Sequence, residues 1–226
     1  MIVALFDSDG TLYSNQMGWG MMKYEEINGR RNRARLYYAS LMPGYFLNKW
    51  GFMKPERFQH FLIMGLTRFF KGSTLEEGRS LFHWVVNEYL LPATRKDIRS
   101  RLQEHQAKGH IVIITSGSFT PCLDMIGKHF GVEHLIGTQV DIQNERYTGK
   151  IIPPLITGIA KAEKIRDLLS TRGVKVDWSS SYAYGDSFTD RNMLEMVGHP
   201  VAVYPDKKLH QLAKAKQWEI LGTPKE

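Results

Sequence analysis

Two carboxylates stand one residue apart where the first apolar run of the chain ends. Asp7 and Asp9 follow the run 1–5 in the stretch FDSDGTL. Carboxylates are rarely found beside a protein core without a proton, a cation or a metal ion that compensates their charge. A carboxylate can attack as a nucleophile, and a second one can act as general acid and base. The pair therefore indicates a reaction centre that also binds a cation.

Polar residues follow two later apolar runs in the same way. The run IVIIT is followed by Ser116 and Gly117, the run SYAYG leads to Asp186 and Asp190, and Lys161 lies between them. Continuous apolar runs are typical of strands buried on both faces of a parallel sheet. Because ligands of open α/β sheets bind beyond the carboxyl ends of the strands, we expect these residues to share one site.

The apolar runs alternate with helical patterns through most of the chain. The predicted strands cover residues 2–6, 111–115, 181–185 and 200–204. The predicted helices cover residues 92–108, 120–130, 158–170, 189–197 and 206–217, and a β-hairpin is predicted over residues 137–151. This alternation predicts a Rossmann-like, doubly wound parallel sheet of the α/β class.

The long interval 13–91 interrupts the alternation. It is helical in pattern, rich in aromatic residues and methionine, and contains no clear strand. Because a structureless loop of this length is unusual inside a compact domain, we expect an inserted α-helical cap. The predicted division is a catalytic core of residues 1–14 and 92–226 and a cap of residues 15–91. The insertion begins just after the two aspartates, so it is expected to lie over them.

The four polar motifs resemble, in this order, those of the haloacid dehalogenase (HAD) superfamily of phosphohydrolases. DSDGTL matches the first motif, IVIITSG the second, Lys161 in GIAKAEK the third and GDSFTD the fourth. The helical insertion is similar to the cap of the phosphoserine-phosphatase-like branch, subfamily IB. The resemblance implies a Mg²⁺-dependent phosphatase that hydrolyses a small-molecule phosphomonoester through an aspartyl-phosphate intermediate.

The resemblance also implies a role for each matching residue. Asp7 would be the nucleophile, and Asp9 would protonate the leaving group and then activate water. The implied phosphate-binding residues are Gly10, Ser116, Gly117 and Lys161, of which Ser116 and Lys161 also assist catalysis. The implied Mg²⁺ ligands are Asp7, the backbone carbonyl of Asp9, Asp186 and, directly or through water, Asp190. A phosphate among these carboxylates requires cations, and Mg²⁺ and Lys161 would supply three positive charges.

One position departs from the branch and bears on the substrate. Gln16 stands seven residues after Asp9, where phosphoserine phosphatases carry a glutamate that binds the substrate amine. An amide offers no charge to an ammonium group, so we expect a larger or less polar phosphorylated alcohol unless Glu25 or Glu26 substitutes. Two alternatives in the same branch are histidinol-phosphate phosphatase and a phosphotransferase with an acceptor alcohol such as homoserine.

Composition bears on partners and location. Thirty Lys and Arg residues against 23 Asp and Glu give a net charge of +7, and the basic run 30–35 is predicted to be a solvated helix face. Without a nucleic-acid-binding motif, the expected partner is a small phosphorylated metabolite and not nucleic acid. The aromatic cap leaves a homodimer or a membrane contact as alternatives.

Three features of the sequence bear on location. They are the single Cys122, the short first apolar run and the absence of a stretch of ~20 apolar residues. Together they predict a cytoplasmic protein without a transmembrane segment.

Overall fold

A computed structural model describes residues 1–50, 52–53 and 55–225. The strands are β1 Val3–Asp7, β2 Ile111–Phe119, β3 His134–Gln143, β4 Arg146–Ile152, β5 Tyr182–Gly185, β6 His199–Val203 and β7 Glu219–Leu221. They form one sheet in the order β4-β3-β2-β1-β5-β6-β7. Every neighbouring pair is parallel except β3 and β4, which form an antiparallel hairpin. The predicted α/β sheet is confirmed.

Helices surround the sheet and fill the interval after β1. They are α1 Met17–Ile27, α2 Arg31–Lys49, α3 Pro55–Leu66, α4 Leu75–Trp84, α5 Lys96–Ala107, α6 Thr120–Phe130, α7 Ile159–Thr171, α8 Arg191–Leu194 and α9 Lys207–Ala215. Local sequence signals set several of their ends. The Asp206 side chain accepts a hydrogen bond from the Leu209 amide at the start of α9, and Gly131 takes the left-handed backbone conformation after α6.

Alternating side chains of β1 face two separate hydrophobic clusters. Ala4 and Phe6 pack in the cluster that contains the inner faces of α5 and α6. Val3 and Leu5 pack in the other cluster, with α7, α8 and α9. Full burial of a Leu or Phe side chain stabilises a fold by about 1.5–3 kcal/mol. The continuous apolar run of β1 is thereby explained, because both faces of this central strand are covered.

The described residues of the segment between β1 and α5 form helices and turns, with no strand among them. Residues 85–90 form a π-helical turn after α4, and α2 continues through Pro43. Phe70 and Phe82 pack edge-on against Tyr147 of β4, so the segment contacts the hairpin as well as the sheet edge. None of the helices that the structure describes has the length and apolarity of a bilayer span.

Several boundaries differ from the sequence predictions. The helix predicted from residue 92 begins at Lys96, because Leu91–Ala93 forms a separate 3-10 turn. The pattern 189–197 holds a 3-10 turn and the four-residue α8. Strand β2 continues past Gly117 to Phe119, since it keeps pairing with β3. The short edge strand β7 was not predicted, because three residues are too few to show a period.

The basic run 30–35 is a solvated surface, as predicted, and two of its arginines also form ion pairs. Arg30 and Arg33 form ion pairs with the buried carboxylate of Glu25, at 2.9 and 3.2 Å. All four arginines of the run are exposed. Two of these arginines therefore hold α1 and the start of α2 together, since a buried glutamate needs a charged partner.

Candidate active site

The central strand and its two neighbours bring the sequence motifs to one edge of the sheet. Asp7 at the end of β1 is paired in register with Thr115 of β2, and Phe6 is paired with Tyr184 of β5. Asp186 therefore follows β5 one residue beyond the level of Asp7. The strand order runs outward from β1 in both directions, so it reverses between β1 and β5. Open α/β sheets bind ligands beyond the carboxyl ends of their strands at such a reversal.

Gly10 allows the loop after β1 to approach Asp186. Its φ angle of +88° lies in the left-handed region, and a Cβ atom there would overlap Asp186 Oδ2. Any side chain would therefore collide with that carboxylate as well as strain the backbone. The Gly10 carbonyl accepts a hydrogen bond from Arg95 Nε at 3.2 Å, which ties the loop to the start of α5.

Lys161 lies between two buried carboxylates. Its Nζ atom is 2.5 Å from Asp7 Oδ1 and 2.6 Å from Asp190 Oδ1, and all three side chains are buried. Burial raises the pKa of Asp7 to about 7, while the Lys161 charge opposes the shift. Burial by itself would lower the pKa of Lys161, but the carboxylates of Asp190 and Asp7 raise it above its usual range. Lys161 is therefore a fixed positive charge beside the Asp7 oxygen.

Asp7, Asp186 and Asp190 form a group of oxygen donors. Their carboxylate oxygens lie within 4.8 Å of one another, and all three residues are buried. Burial raises the pKa of Asp186 and of Asp190 to about 6, opposed mainly by Lys225 and Lys161 respectively. Closely grouped carboxylates are the hard ligands that Mg²⁺ prefers, so the donor set fits this ion.

Two further contacts of Asp186 were not predicted from the sequence. Thr11 donates a hydrogen bond from Oγ1 to Asp186 Oδ1 at 3.3 Å, and Lys225 Nζ forms an ion pair with Asp186 Oδ2. The Lys225 amide also donates to the Pro205 carbonyl, which holds this part of the chain next to the loop after β6. Thr11 belongs to the DSDGTL motif, but no sequence signal points to Lys225, which lies 39 residues from its partner.

Asp9 is held by residues from three parts of the chain. Its Oδ1 atom accepts hydrogen bonds from Tyr13 Oη at 2.7 Å and from Ser118 Oγ at 3.1 Å, and its Oδ2 atom accepts from the Met17 amide at 3.0 Å. Burial raises the pKa of this carboxyl group, and the hydrogen bonds oppose the shift. Its side chain lies outside the three-carboxylate group. Sequence analysis missed Tyr13 and Ser118, although each stands next to a recognised motif.

The Ser116 hydroxyl is positioned to donate into the site. Ser116 Oγ accepts a hydrogen bond from Ser8 Oγ at 2.6 Å and another from the Ser118 amide at 3.0 Å. With both acceptor positions occupied, its own proton is available to a third oxygen. Gly117 follows, and a Cβ atom on it would lie 2.9 Å from Ile63 of α3. Gly117 thus lets α3 pack closely over the site.

A cavity of about 430 Å³ lies between the sheet edge and the helical segment. Of the predicted site residues, all except Gly10 line it: Asp7, Asp9, Gln16, Ser116, Gly117, Lys161, Asp186 and Asp190. The opposite wall comes from α1, α2 and α3. Glu25, proposed from the sequence as a substitute for Gln16, is bound to its two arginines, and neither it nor Glu26 lines the cavity.

The chain is similar in sequence to several curated proteins. The chain is 32% identical over 152 residues to the inhibition of morphological differentiation protein of Streptomyces azureus, covering 67% of this chain and 54% of that protein. It thus spans about half the length of the first curated relatives that it matches. It is also 29% identical over 224 residues to the histidinol-phosphatase of Neisseria meningitidis serogroup C, covering 97% of this chain and 98% of that protein.

Solved structures share the fold. A protein of unknown function from Bordetella pertussis Tohama I superposes with a TM-score of 0.82 at 24% identity, with 97% of each chain covered. A phospho-aspartyl intermediate analogue of phosphoserine phosphatase superposes with a TM-score of 0.66 at 17% identity, covering 100% of this chain and 94% of that one. The family model for haloacid dehalogenase-like hydrolases matches residues 4–195. The chain therefore belongs to the haloacid dehalogenase-like hydrolase family.

Proposed function

We propose that this protein is a Mg²⁺-dependent phosphatase that hydrolyses a small-molecule phosphomonoester through a phosphorylated Asp7. One observation carries the proposal: the Asp7 carboxylate, paired with Lys161, lines a cavity together with Asp9, Asp186 and Asp190. We also propose that residues 1–14 and 92–226 act as the catalytic core and residues 15–91 as a cap that selects the substrate.

In the first half-reaction an Asp7 oxygen attacks phosphorus. The new O–P bond forms as the bond from phosphorus to the substrate oxygen breaks, and Asp9 gives its proton to the departing alkoxide. The hydrogen bonds from Tyr13 and Ser118 fix the Asp9 carboxyl group for this transfer. Ser116 donates a hydrogen bond from its hydroxyl group to a phosphoryl oxygen, and Lys161 offsets the charge on that group.

In the second half-reaction the Asp9 carboxylate takes a proton from water. The water oxygen bonds to phosphorus while the bond from Asp7 to phosphorus breaks, which releases inorganic phosphate and restores both carboxyl groups. Asp7, Asp186 and Asp190 would hold Mg²⁺ beside the phosphoryl group. Bound Mg²⁺ supplies positive charge that stabilises the negatively charged transition state.

Two kinds of substrate are suggested by the relatives, and the cavity bears on the choice between them. The relative that covers nearly the whole chain is named histidinol-phosphatase, and a structural neighbour is a phosphoserine phosphatase. Gln16 lines the cavity with an uncharged amide, and Glu25 is already paired with Arg30 and Arg33. Among the cap side chains that the structure describes, no carboxylate lines the cavity to meet the ammonium group of a small amino-acid phosphate, which favours a larger phosphorylated alcohol.

The test is phosphate release from a panel of phosphomonoesters with Mg²⁺. The panel contains phosphoserine, histidinol phosphate, glycerol phosphate and an aryl phosphate, with added homoserine in parallel reactions. Hydrolysis of at least one ester is expected, with histidinol phosphate or the aryl ester ahead of phosphoserine. Phosphohomoserine as the main product would identify the phosphotransferase alternative. An absence of phosphate release from every ester would refute the proposed phosphatase activity.

A further inference from the structure

Helix α2 has an apolar outer face, which is unusual for a helix at the surface of a protein. Ala34 and Tyr37 are buried on its inner side. On the side that faces solvent, Met42, Phe46 and Trp50 follow one another at helical spacing, the last of them directly after the helix. These three side chains are 43%, 39% and 66% exposed. Exposed apolar side chains grouped in this way mark an interaction surface.

Neighbouring apolar side chains widen this surface. The ring of Phe46 lies 5.7 Å from the ring of Tyr45 and 5.5 Å from the ring of Trp50. Residues 36–48 contain no Asp, Glu, Lys or Arg. The exposed side chains that make up this α2 face are Leu36, Met42, Tyr45, Phe46, Leu47 and Trp50.

The start of α2 is basic instead. The solvent-facing row of the helix begins with Arg31 and Arg35, which are both exposed. The nearby carboxylate of Glu25 is bound to Arg30 and Arg33. In the described part of the chain no carboxylate forms an ion pair with Arg31 or Arg35. Two positive charges therefore stand beside the apolar α2 face.

An anionic lipid bilayer matches both parts of this surface. Trp and Tyr side chains favour the boundary between lipid head groups and acyl chains, and arginines are attracted to lipid phosphates. A second copy of the chain matches it less well, because residues 30–50 contain no carboxylate that could pair with Arg31 and Arg35 across a contact between two α2 helices. The net charge of +7 also favours an anionic partner.

The α2 face adjoins the opening of the cavity. Tyr38 stands one helical turn before Met42, and Tyr38 and Trp19 both line the cavity and are exposed. Their ring centroids lie 5.1 Å apart. Because a side chain that lines a cavity and also reaches solvent lies at its rim, a partner on the α2 face would lie next to this opening.

We propose that the protein binds anionic membrane surfaces through the α2 face. Met42, Phe46 and Trp50 enter the boundary between head groups and acyl chains, while Arg31 and Arg35 bind lipid phosphates. The helix then lies in the plane of the interface, as amphipathic helices at membrane surfaces do. This binding does not depend on the proposed phosphatase activity.

The test is sedimentation of the full chain with two kinds of vesicle, phosphatidylcholine alone and an equal mixture of phosphatidylcholine and phosphatidylglycerol. Binding to the mixed vesicles should be about tenfold stronger or more, and added salt should weaken it by screening the arginine charges. Phe46→Ser/Trp50→Ser should lower the partition coefficient by about tenfold or more. Arg31→Gln/Arg35→Gln should lower it for the mixed vesicles by about fivefold for each arginine.

Two matched controls remove the same kinds of side chain elsewhere. Lys207→Gln/Lys208→Gln causes the same loss of charge on α9, which packs in the other hydrophobic cluster. Ile142→Ser/Ile152→Ser removes exposed apolar side chains from the hairpin of β3 and β4. Both double variants should bind the mixed vesicles within about threefold of the wild type. Circular dichroism checks the fold of every variant.

A wild type that stays in the supernatant with both vesicles, or that binds both equally, would overturn the proposal. So would a folded Phe46→Ser/Trp50→Ser protein that binds as the wild type does. A wild-type dimer that this variant dissociates, measured by sedimentation velocity without lipid, would also overturn it, because a second copy would then cover the α2 face. The phosphatase test uses soluble esters, so its outcome is separate from these.

Discussion

The sheet edge and the helical wall of the cavity are built in opposite ways. At the edge, Asp7 and Asp190 are buried against Lys161, and Asp9 accepts three hydrogen bonds shorter than 3.2 Å. On the helical wall, the described lining side chains are apolar, aromatic or uncharged amides, and they extend to the surface, where Trp19 is 48% exposed.

The difference separates the roles of the two regions. Groups that stabilise developing charge must be oriented before the reaction, so their partners hold them in place. Groups that recognise a substrate lack some of their hydrogen-bond partners in the free protein, because the substrate itself supplies those partners. We therefore expect changes at the edge to abolish turnover and changes on the helical wall to alter the choice of substrate.

The largest effect is expected at the nucleophile. Asp7→Asn preserves the shape of the side chain but removes its nucleophilic charge, so kcat should fall by a factor of about 10⁴ or more. The assay is phosphate release with the best ester, together with thermal unfolding to show that the fold remains. Asp167→Asn, an exposed carboxylate on α7, is the matched control and should keep full activity. An active Asp7→Asn enzyme would rule out the covalent mechanism.

A smaller but still large effect is expected from the removal of divalent metal. Chelation with EDTA should lower kcat by about 10²–10³, and Mg²⁺ should restore it. Ca²⁺ should restore little activity, because its longer bonds and higher coordination number disturb the geometry. Asp186→Ala should weaken Mg²⁺ binding measured by calorimetry more than Asp190→Ala, whose position is also fixed by Lys161. Full activity after exhaustive chelation would contradict the proposed metal site.

The third prediction tests the helical wall. Gln16→Glu places a carboxylate at the cavity and should raise kcat/KM for phosphoserine by about five- to tenfold, since an exposed position screens part of the attraction. The value for an aryl phosphate should change by less than about twofold. Gln103→Glu, on the exposed face of α5, serves as the control for the added charge. A wild type that already prefers phosphoserine tenfold over larger esters would contradict the substrate prediction.

The smallest effect concerns the sheet away from the cavity. His105 Nδ1 lies 2.8 Å from His110 Nδ1, and its Nε2 lies 2.9 Å from the Tyr184 hydroxyl. Burial, with His110, Lys108 and Arg101 nearby, lowers the pKa of His105 from 6.5 to about 4. Between these values the unfolded chain binds a proton that the folded chain excludes. Stability is therefore complete above pH 6.5 and falls as the pH drops towards 4.

The expected loss is about 1–2 kcal/mol after allowance for solvent screening. Urea unfolding at pH 7 and at pH 4.5 measures it in the wild type and in His105→Gln, which should show a smaller difference between the two pH values. The same difference in both proteins would assign the pH dependence to other groups.

The family, the order of the motifs and the edge of the sheet where they meet could all be predicted from the amino-acid sequence. The reason is local: an apolar run predicts a buried strand, and parallel strands end together, so Asp7, Ser116 and Asp186 had to lie near one another. The α-helical pattern of the segment after β1 was also visible in the periodicity of its apolar residues.

The partners that hold those residues, and the side chains that face them, depend instead on tertiary packing. Ser118 reaches Asp9 across 109 positions of the chain, and Lys161 reaches Asp7 across 154. The place of α3 in the wall of the cavity likewise depends on how it packs over Gly117. Such pairings follow from the packing of elements that are distant in the chain, and local propensity and spacing do not encode that packing. The hydrogen-bond partners of the site residues and the helical wall of the cavity are therefore seen only in the folded protein.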